Sequence, residues 1–358
     1  LPSIKGGWKI RRTNVIIFFI AVAVFAGTFI ISLVSLPSEY PDHPSTNQKL
    51  SLPSKSSFKV PESGIHTLMG KSEKQLSKML GKPERVDPTK FGYRWFIYGR
   101  ESENYVQVGI DVKTDRVTTI YALGKQLKLN PFAIGEASQK IYEKVPIEAD
   151  LSFNYNGTRI NFELNEEDMM IRPLMKFGKD WVQLNFDHVS DRLIGVRYMT
   201  TGVLAAQHPY SMTYQGQLPK TPNLNDKEWI AVNQAEDQEI FDISNVMRLR
   251  FNKPMLKWNK QAHQAAYQHS KEMQNRNYFS HDSKWSGDLK TRLDRQNVYF
   301  QTAGENIAAR YPDAAAVSLG WLNSIDHRKN LLNDAFTELG VGSYKNYYTQ
   351  DFVTPLNP

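Results

Sequence analysis

Apolar and polar residues alternate over two stretches of this chain in the same order. Tyr105-Val-Gln-Val-Gly-Ile-Asp111 lines up with Trp181-Val-Gln-Leu-Asn-Phe-Asp187, and Asp115-Arg116-Val117 with Asp191-Arg192-Leu193, at a constant offset of 76 residues. A period of two, broken by a polar turn, predicts a β-hairpin with one buried face in each copy. Each hairpin follows a helical pattern, Ser72–Leu80 in the first copy and Gly135–Val145 in the second. Leu76, Met79 and Leu80 recur at helical spacing, and Gly81 and Pro83 stop that helix. Residues 65–202 are therefore expected to form two similar α+β halves packed together.

After 202 the pattern changes. Pro209, Gly216, Pro219 and Pro222 mark a connection, placed at 203–235. Helical periodicity covers Asp226–Arg250, with Ile240, Ile243, Val246 and Met247 on one stripe. Two more helices are expected near Asn259–Asn275 and Ala314–Ser324, the latter with Val317 and Trp321 one turn apart. Ser343-Tyr-Lys-Asn-Tyr-Tyr alternates around a Lys345-Asn346 turn. That predicts a hairpin, so Gly340-x-Gly342 is not a nucleotide-binding loop.

Val15–Leu36 is apolar and uncharged for 22 residues, enough at about 1.5 Å per residue to cross a hydrocarbon core of about 30 Å. Lys5, Lys9, Arg11 and Arg12 precede it, which predicts a cytoplasmic stretch at 1–14 and an extracytoplasmic remainder. The rival is a cleaved signal peptide, but the run exceeds the usual apolar core of roughly 7–15 residues and no Ala-x-Ala site follows. A single-pass anchor in the cell membrane is the expectation. Residues 37–64, rich in Pro, Ser and Lys, are expected to be a flexible spacer.

The 358 residues leave room for two or three cores. Net charge is +7, with many acidic residues alongside the basic ones, and no basic run interleaves with aromatics. Nucleic acid is not an expected partner. The chain has no cysteine, so thiol catalysis and thiolate metal sites are excluded.

Candidate chemistry gathers in the last third. Phe279-Ser280-His281, Ala303-Gly304-Glu305-Asn306-Ile307 and Asn323-Ser324-Ile325-Asp326-His327-Arg328 supply two imidazoles and two carboxylates. These groups can bind a divalent ion or exchange protons near neutral pH. His263 and His269 lie about 120° apart around one helix, so they do not share an ion, and His269 is expected to pack or hydrogen-bond. His188 is expected at the surface or in packing. Ser280 is not in a nucleophile elbow, and no Gly-x-Ser-x-Gly occurs.

The order of Leu256-Lys-Trp-Asn259, His269-Ser-Lys-Glu-Met273, Tyr278-Phe-Ser-His281, Gly304-Glu-Asn-Ile307, His327-Arg-Lys-Asn-Leu-Leu332, Gly340-Val-Gly342 and Tyr348-Thr-Gln350 resembles the CAP superfamily, in its bacterial branch. That superfamily groups cysteine-rich secretory proteins, antigen 5 and pathogenesis-related 1 proteins. The resemblance implies a CAP-like α-β-α sandwich over 236–355, and it implies that 65–202 is the accessory domain that precedes such domains in membrane proteins. By the same resemblance His281 and Glu305 are the first histidine and glutamate of the CAP tetrad. The second half departs from the pattern: Ile325 stands where the second glutamate is usual and Tyr347 where the second histidine is. Asp326 and His327 are the expected replacements.

Two function classes follow. One is a module binding a cell-envelope peptide, glycan or lipid in the CAP cleft. The other is a hydrolase of envelope components in which His281 and His327 hold a divalent metal such as zinc. A surface scaffold for partner proteins is a third reading.

Overall fold

The structure, a computed structural model, describes residues 58–356. The expected span at 15–36 and most of the spacer lie outside the described residues. Among the described residues no helix is long and apolar enough to cross a membrane.

A seven-stranded antiparallel sheet organises the first half. Its strands are β1 (Arg85–Pro88), β2 (Tyr93–Tyr98), β3 (Val106–Asp111), β4 (Val117–Ala122), β7 (Leu174–Phe177), β8 (Asp180–Asp187) and β9 (Arg192–Met199), in the order β1-β2-β3-β4-β9-β8-β7. Strands β5 (Asp150–Tyr155), β6 (Thr158–Glu163) and β10 (Ser211–Gln215) make a separate small sheet. Helices α1 (Glu73–Leu80), α2 (Ser138–Tyr142), α3 (Glu166–Ile171) and α4 (Thr201–Gln207) surround them. A reciprocal Ser72–Gln75 capping box opens α1, satisfying two donors that a helix start leaves orphaned.

The two hairpins carry the same pairing. Register shifts between Gly109 and Ile110 in one and between Asn185 and Phe186 in the other, and both turns hold an aspartate at positive φ, Asp115 and Asp191. Val106 and Val182 are buried in one apolar cluster, while Tyr105 and Trp181 belong to the cluster on the opposite face. At the centre β4 meets β9, with Ile120 opposite Tyr198 and Ala122 opposite Val196. A shift of 76 exchanges those two pairs in the register.

The stretch 203–235 is not one uniform connection. It holds most of α4, then β10 paired to β6, then the first turns of α5 (Asp226–Arg250). Asn225 opens α5 with a capping box to Glu228, and the helix runs between the two halves, touching β1 on one side and the C-terminal sheet on the other. Its predicted stripe of Ile240, Ile243, Val246 and Met247 is fully buried. So are Glu236, Asp237, Glu239 and Asp242, an arrangement that is costly without partners. Arg85 and Arg100 pair with Asp242, and Lys90 with Glu236.

The second half is an α-β-α sandwich. Its sheet runs β11 (Lys257–Trp258), β13 (Glu338–Tyr344), β14 (Tyr347–Pro355), β12 (Phe300–Ala309) in space. Helix α5 with α8 (Ala314–Asn323) and α9 (Ile325–Leu331) covers one face; α6 (Lys260–Arg276) and α7 (Leu289–Arg295) cover the other. Gly340 and Gly342 let α6 lie directly on β13: a Cβ on Gly342 would stand 2.0 Å from the Tyr267 nitrogen.

Candidate functional site

Glu305 is the centre of the site. It lies on β12, buried, and its two oxygens are both engaged. His281 Nδ1 is 2.7 Å from Oε1, and Arg292 Nη2 donates to Oε2 at 2.5 Å. His281 sits on the loop after α6, its side chain about half exposed. That loop is held by Ser283, whose hydroxyl donates to Glu272 and accepts from the amides of Trp285 and Ser286. Arg292, on α7, also donates through Nη1 to the carbonyls of His281 and Gly287. One guanidinium thereby ties the histidine loop to the glutamate strand.

Three further groups surround this pair. His269, fully buried on α6, places Nε2 3.9 Å from Glu305 Oε2. Asp351, fully buried on β14, stands directly opposite Glu305, and neither of its oxygens has a hydrogen-bond partner. Asn330 on α9 donates to the Glu305 carbonyl and to Asn306 Oδ1.

The electrostatics separate these groups. Burial alone would raise the Glu305 carboxyl, but the His281 hydrogen bond and the Arg292 charge outweigh it and hold it below the usual range. The Glu305 hydrogen bond raises His281 against the opposing effect of burial. Burial pushes His269 down to about 4 and pushes Asp351 far up, with the Glu305 charge adding to the rise. The centre thus sets a carboxylate favoured in its charged form by His281 and Arg292 against an imidazole and a carboxyl, His269 and Asp351, that burial favours in their neutral forms.

His327 lies on α9, half-buried, with Nδ1 2.7 Å from Ser324 Oγ. Burial lowers its pKa, and the charge on His281 lowers it further, so the two imidazoles sense one another. Asp326 is turned outward: its side chain is 88% exposed and pairs with Lys329 at 2.8 Å. Neighbouring residues on a helix point about 100° apart, so Asp326 and His327 do not face one way. Sequence reasoning missed Arg292 and Asp351 and gave His269 no role beside Glu305. Arg292 carries no local motif, and Asp351 is the residue after the Tyr348-Thr-Gln350 block.

His263 is elsewhere, bonded through Nδ1 to the Val341 carbonyl, its ring tilted by 39° against Trp258 at 5.1 Å. The His188 amide donates to Asn323 Oδ1. Beside it Arg328, next to His327 on α9, pairs with buried Asp187 of the second hairpin at 2.7 Å.

A catalytic zinc takes three protein ligands and a water. Among the described residues no three His, Asp or Glu side chains come together in that way. Both Glu305 oxygens are taken and Asp326 faces solvent, leaving two imidazoles as donors, so the residues do not fit a three-ligand ion. Among the described residues the His281 ring has Glu305 as its hydrogen-bond partner. The dyad can orient an imidazole and exchange protons with a bound group.

Comparison with known proteins places both halves of the chain. Residues 69–210 match the CAP-associated N-terminal family, and residues 241–355 match the cysteine-rich secretory protein family, CAP. The uncharacterized membrane protein YlbC of Bacillus subtilis is 38% identical over 294 residues, 82% of this chain and 84% of that one. An extracellular protein containing an SCP domain from Bacillus anthracis superposes with a TM-score of 0.78 at 39% identity, covering 84% of this chain and 99% of the other. A cysteine-rich secretory protein from Staphylococcus aureus gives 0.73 at 26% identity, over 82% and 93%. With both regions matched and relatives sharing nearly the whole described length, the chain belongs to the CAP, or cysteine-rich secretory protein, family and carries the CAP-associated N-terminal domain ahead of its CAP domain.

Proposed function

We propose that the chain is a membrane-anchored, extracytoplasmic binding module whose His281–Glu305–His327 face takes a cell-envelope ligand. The observation that carries this reading is the full engagement of Glu305 by His281 and Arg292. That arrangement presents a fixed, half-exposed imidazole and leaves no free carboxylate to act as a base. The uncharged run Val15–Leu36 and the membrane and extracellular descriptions of its relatives support the location. The hydrolase reading has in its favour only that the His281 charge is felt at His327.

Titration of the full chain in detergent with solubilised envelope fragments tests the reading. His281→Ala and His327→Ala should each weaken binding while the chain stays folded. Undiminished binding by both variants would remove this face from recognition. Zinc binding above background, lost in both variants and as pH drops through about 6.5, would favour the hydrolase. Protease added to wall-stripped cells should digest the C-terminal domain; full protection would overturn the orientation.

A further inference from the structure

On the other side of Arg292 from Glu305 lies a groove of about 610 Å³ along α6, the Ser283–Gly287 loop and α7. His281, Glu305 and His327 do not line it. Lys271, Arg276, Arg292 and Arg295 do, against one carboxylate, Glu272. Glu272 is already committed: it accepts from Ser283 Oγ at 2.7 Å and lies 3.7 Å from Arg276 Nε. The groove is therefore an electropositive surface.

Two features point to a ligand. Arg292 is only 4% exposed, and its Nη atoms are used by His281, Gly287 and Glu305, yet its Nε–H has no acceptor. Buried donors are seldom left unmade, and an N–H on a cation is the kind that binds oxyanions strongly. Second, the Trp285 ring is half exposed, with the Arg276 guanidinium 4.2 Å from its centroid. An acyl chain would need continuous apolar lining, whereas here Ala265 and Trp285 are the apolar residues among mostly charged and amide neighbours. Tyr278 lies 5.4 Å from the same indole, tilted by 52°, and the part of the ring left exposed in a polar groove suits the C–H face of a sugar ring, apolar on one side and hydroxylated at its rim.

We propose that this groove binds an acidic saccharide, its carboxylate or phosphate taken by Arg292 Nε with Arg276 and Arg295, and a sugar ring laid against Trp285. The site is separate from the His281 face and goes beyond the function proposed above.

The test titrates the full chain in detergent, at low salt, with an oligouronate, a phosphosugar oligomer, a neutral N-acetylglucosamine oligomer and inorganic phosphate. One of the two acidic oligomers should bind and thereby identify the anion. Arg276→Ala and Trp285→Ala should each weaken that binding about tenfold, and added salt should weaken it further. His327→Ala, which touches neither Arg292 nor the groove lining, should leave it unchanged, which separates this groove from the envelope-ligand face. Equal binding of the neutral oligomer, undiminished binding by both groove variants, or binding of neither acidic oligomer would overturn the proposal. Competition by inorganic phosphate at the same concentration as the oligomer would also overturn it, by reducing the groove to an anion site without sugar recognition.

Discussion

Glu305 and Asp351 stand directly opposite each other in the pairing of β12 with β14, both buried, and their carboxyls are shifted in opposite directions. His281 and Arg292 hold Glu305 below the usual carboxylate range, while burial and the neighbouring Glu305 charge push Asp351 well above it. Two carboxyls this close do not both ionise.

Asp351→Asn should therefore fold normally and be at least as stable as the natural chain at pH 7. The sign follows from the raised pKa. Asp351 contributes fully below its unfolded value, near 4, and that contribution is lost as pH rises toward its folded value. Urea unfolding at pH 4, 5.5 and 7 should show the variant gaining on the natural chain as pH rises. A constant difference would mean that Asp351 is ionised in the folded state.

Arg292→Ala should destabilise the CAP domain by about 3 kcal/mol, because it leaves a buried Glu305 short of a cation and two carbonyls short of donors. Arg292→Lys should not rescue it, since an ammonium cannot reproduce the planar fork that reaches both carbonyls and the carboxylate. Chemical denaturation checks both. A loss well under 1 kcal/mol would show that the loop does not depend on this residue.

The two histidines of the proposed ligand face should titrate on opposite sides of about 6.5, His281 above and His327 below, as their environments shift them. For His281 the raised folded value means that its stabilisation is complete below about 6.5 and is lost as pH climbs through the folded value. His281→Ala should thus cost more at pH 6 than at pH 9. NMR titration of the ring protons reads the order directly, and Glu305→Gln should lower the His281 midpoint. Coincident midpoints would contradict the described hydrogen bond.

How much of this was legible beforehand depended on whether the signal was local. The stripe of Asp226–Arg250 and the alternation of both hairpins are properties of neighbouring residues, and they predicted these elements closely. His281 with Glu305 was found through the order of short blocks. Arg292 was not, because its role depends on three acceptors, at 281, 287 and 305, that only the fold gathers. Asp326 was singled out because it follows Ile325, which stands where the second glutamate is usual, and helical geometry turns it to Lys329. The acidic residues of α5 look like a solvated face until Arg85, Lys90 and Arg100 arrive from the other half.

Gly342→Ala should destabilise the sandwich by about 3 kcal/mol, at the upper end of the usual cost of overpacking. The added Cβ would meet the α6 backbone, 2.0 Å from Tyr267 N and 2.3 Å from Ala266 C, and no side chain can move aside to relieve it. Gly81→Ala is the contrast: nothing lies within 4 Å of its Cβ, but φ 80° with ψ −161° is a conformation essentially reserved for glycine, so its cost of about 1–3 kcal/mol is backbone strain alone. Thermal melts of the two variants compare a steric effect with a conformational one. A loss well under 1 kcal/mol for Gly342→Ala would mean that α6 does not press on β13 as described.

The junction between the two halves should loosen as pH rises, and Glu236 should carry part of that slope. It lies on α5, buried, 3.3 Å from Lys90 of the other half. Burial raises its pKa to about 7; Lys90 opposes the rise and the Asp313 charge adds to it. Because the folded value exceeds the unfolded one, the contribution is complete below the unfolded value of about 4.5 and is lost as pH climbs to about 7. At full amplitude this is on the order of 3 kcal/mol. Glu236→Gln keeps the shape and the uncharged state at every pH, so stability of the variant relative to the natural chain should increase between pH 4.5 and 7 and then level off. Lys90→Met should move the transition upward, since the opposing cation is gone. If Glu236→Gln runs parallel to the natural chain across that window, Glu236 is ionised throughout and Lys90 compensates its burial in full.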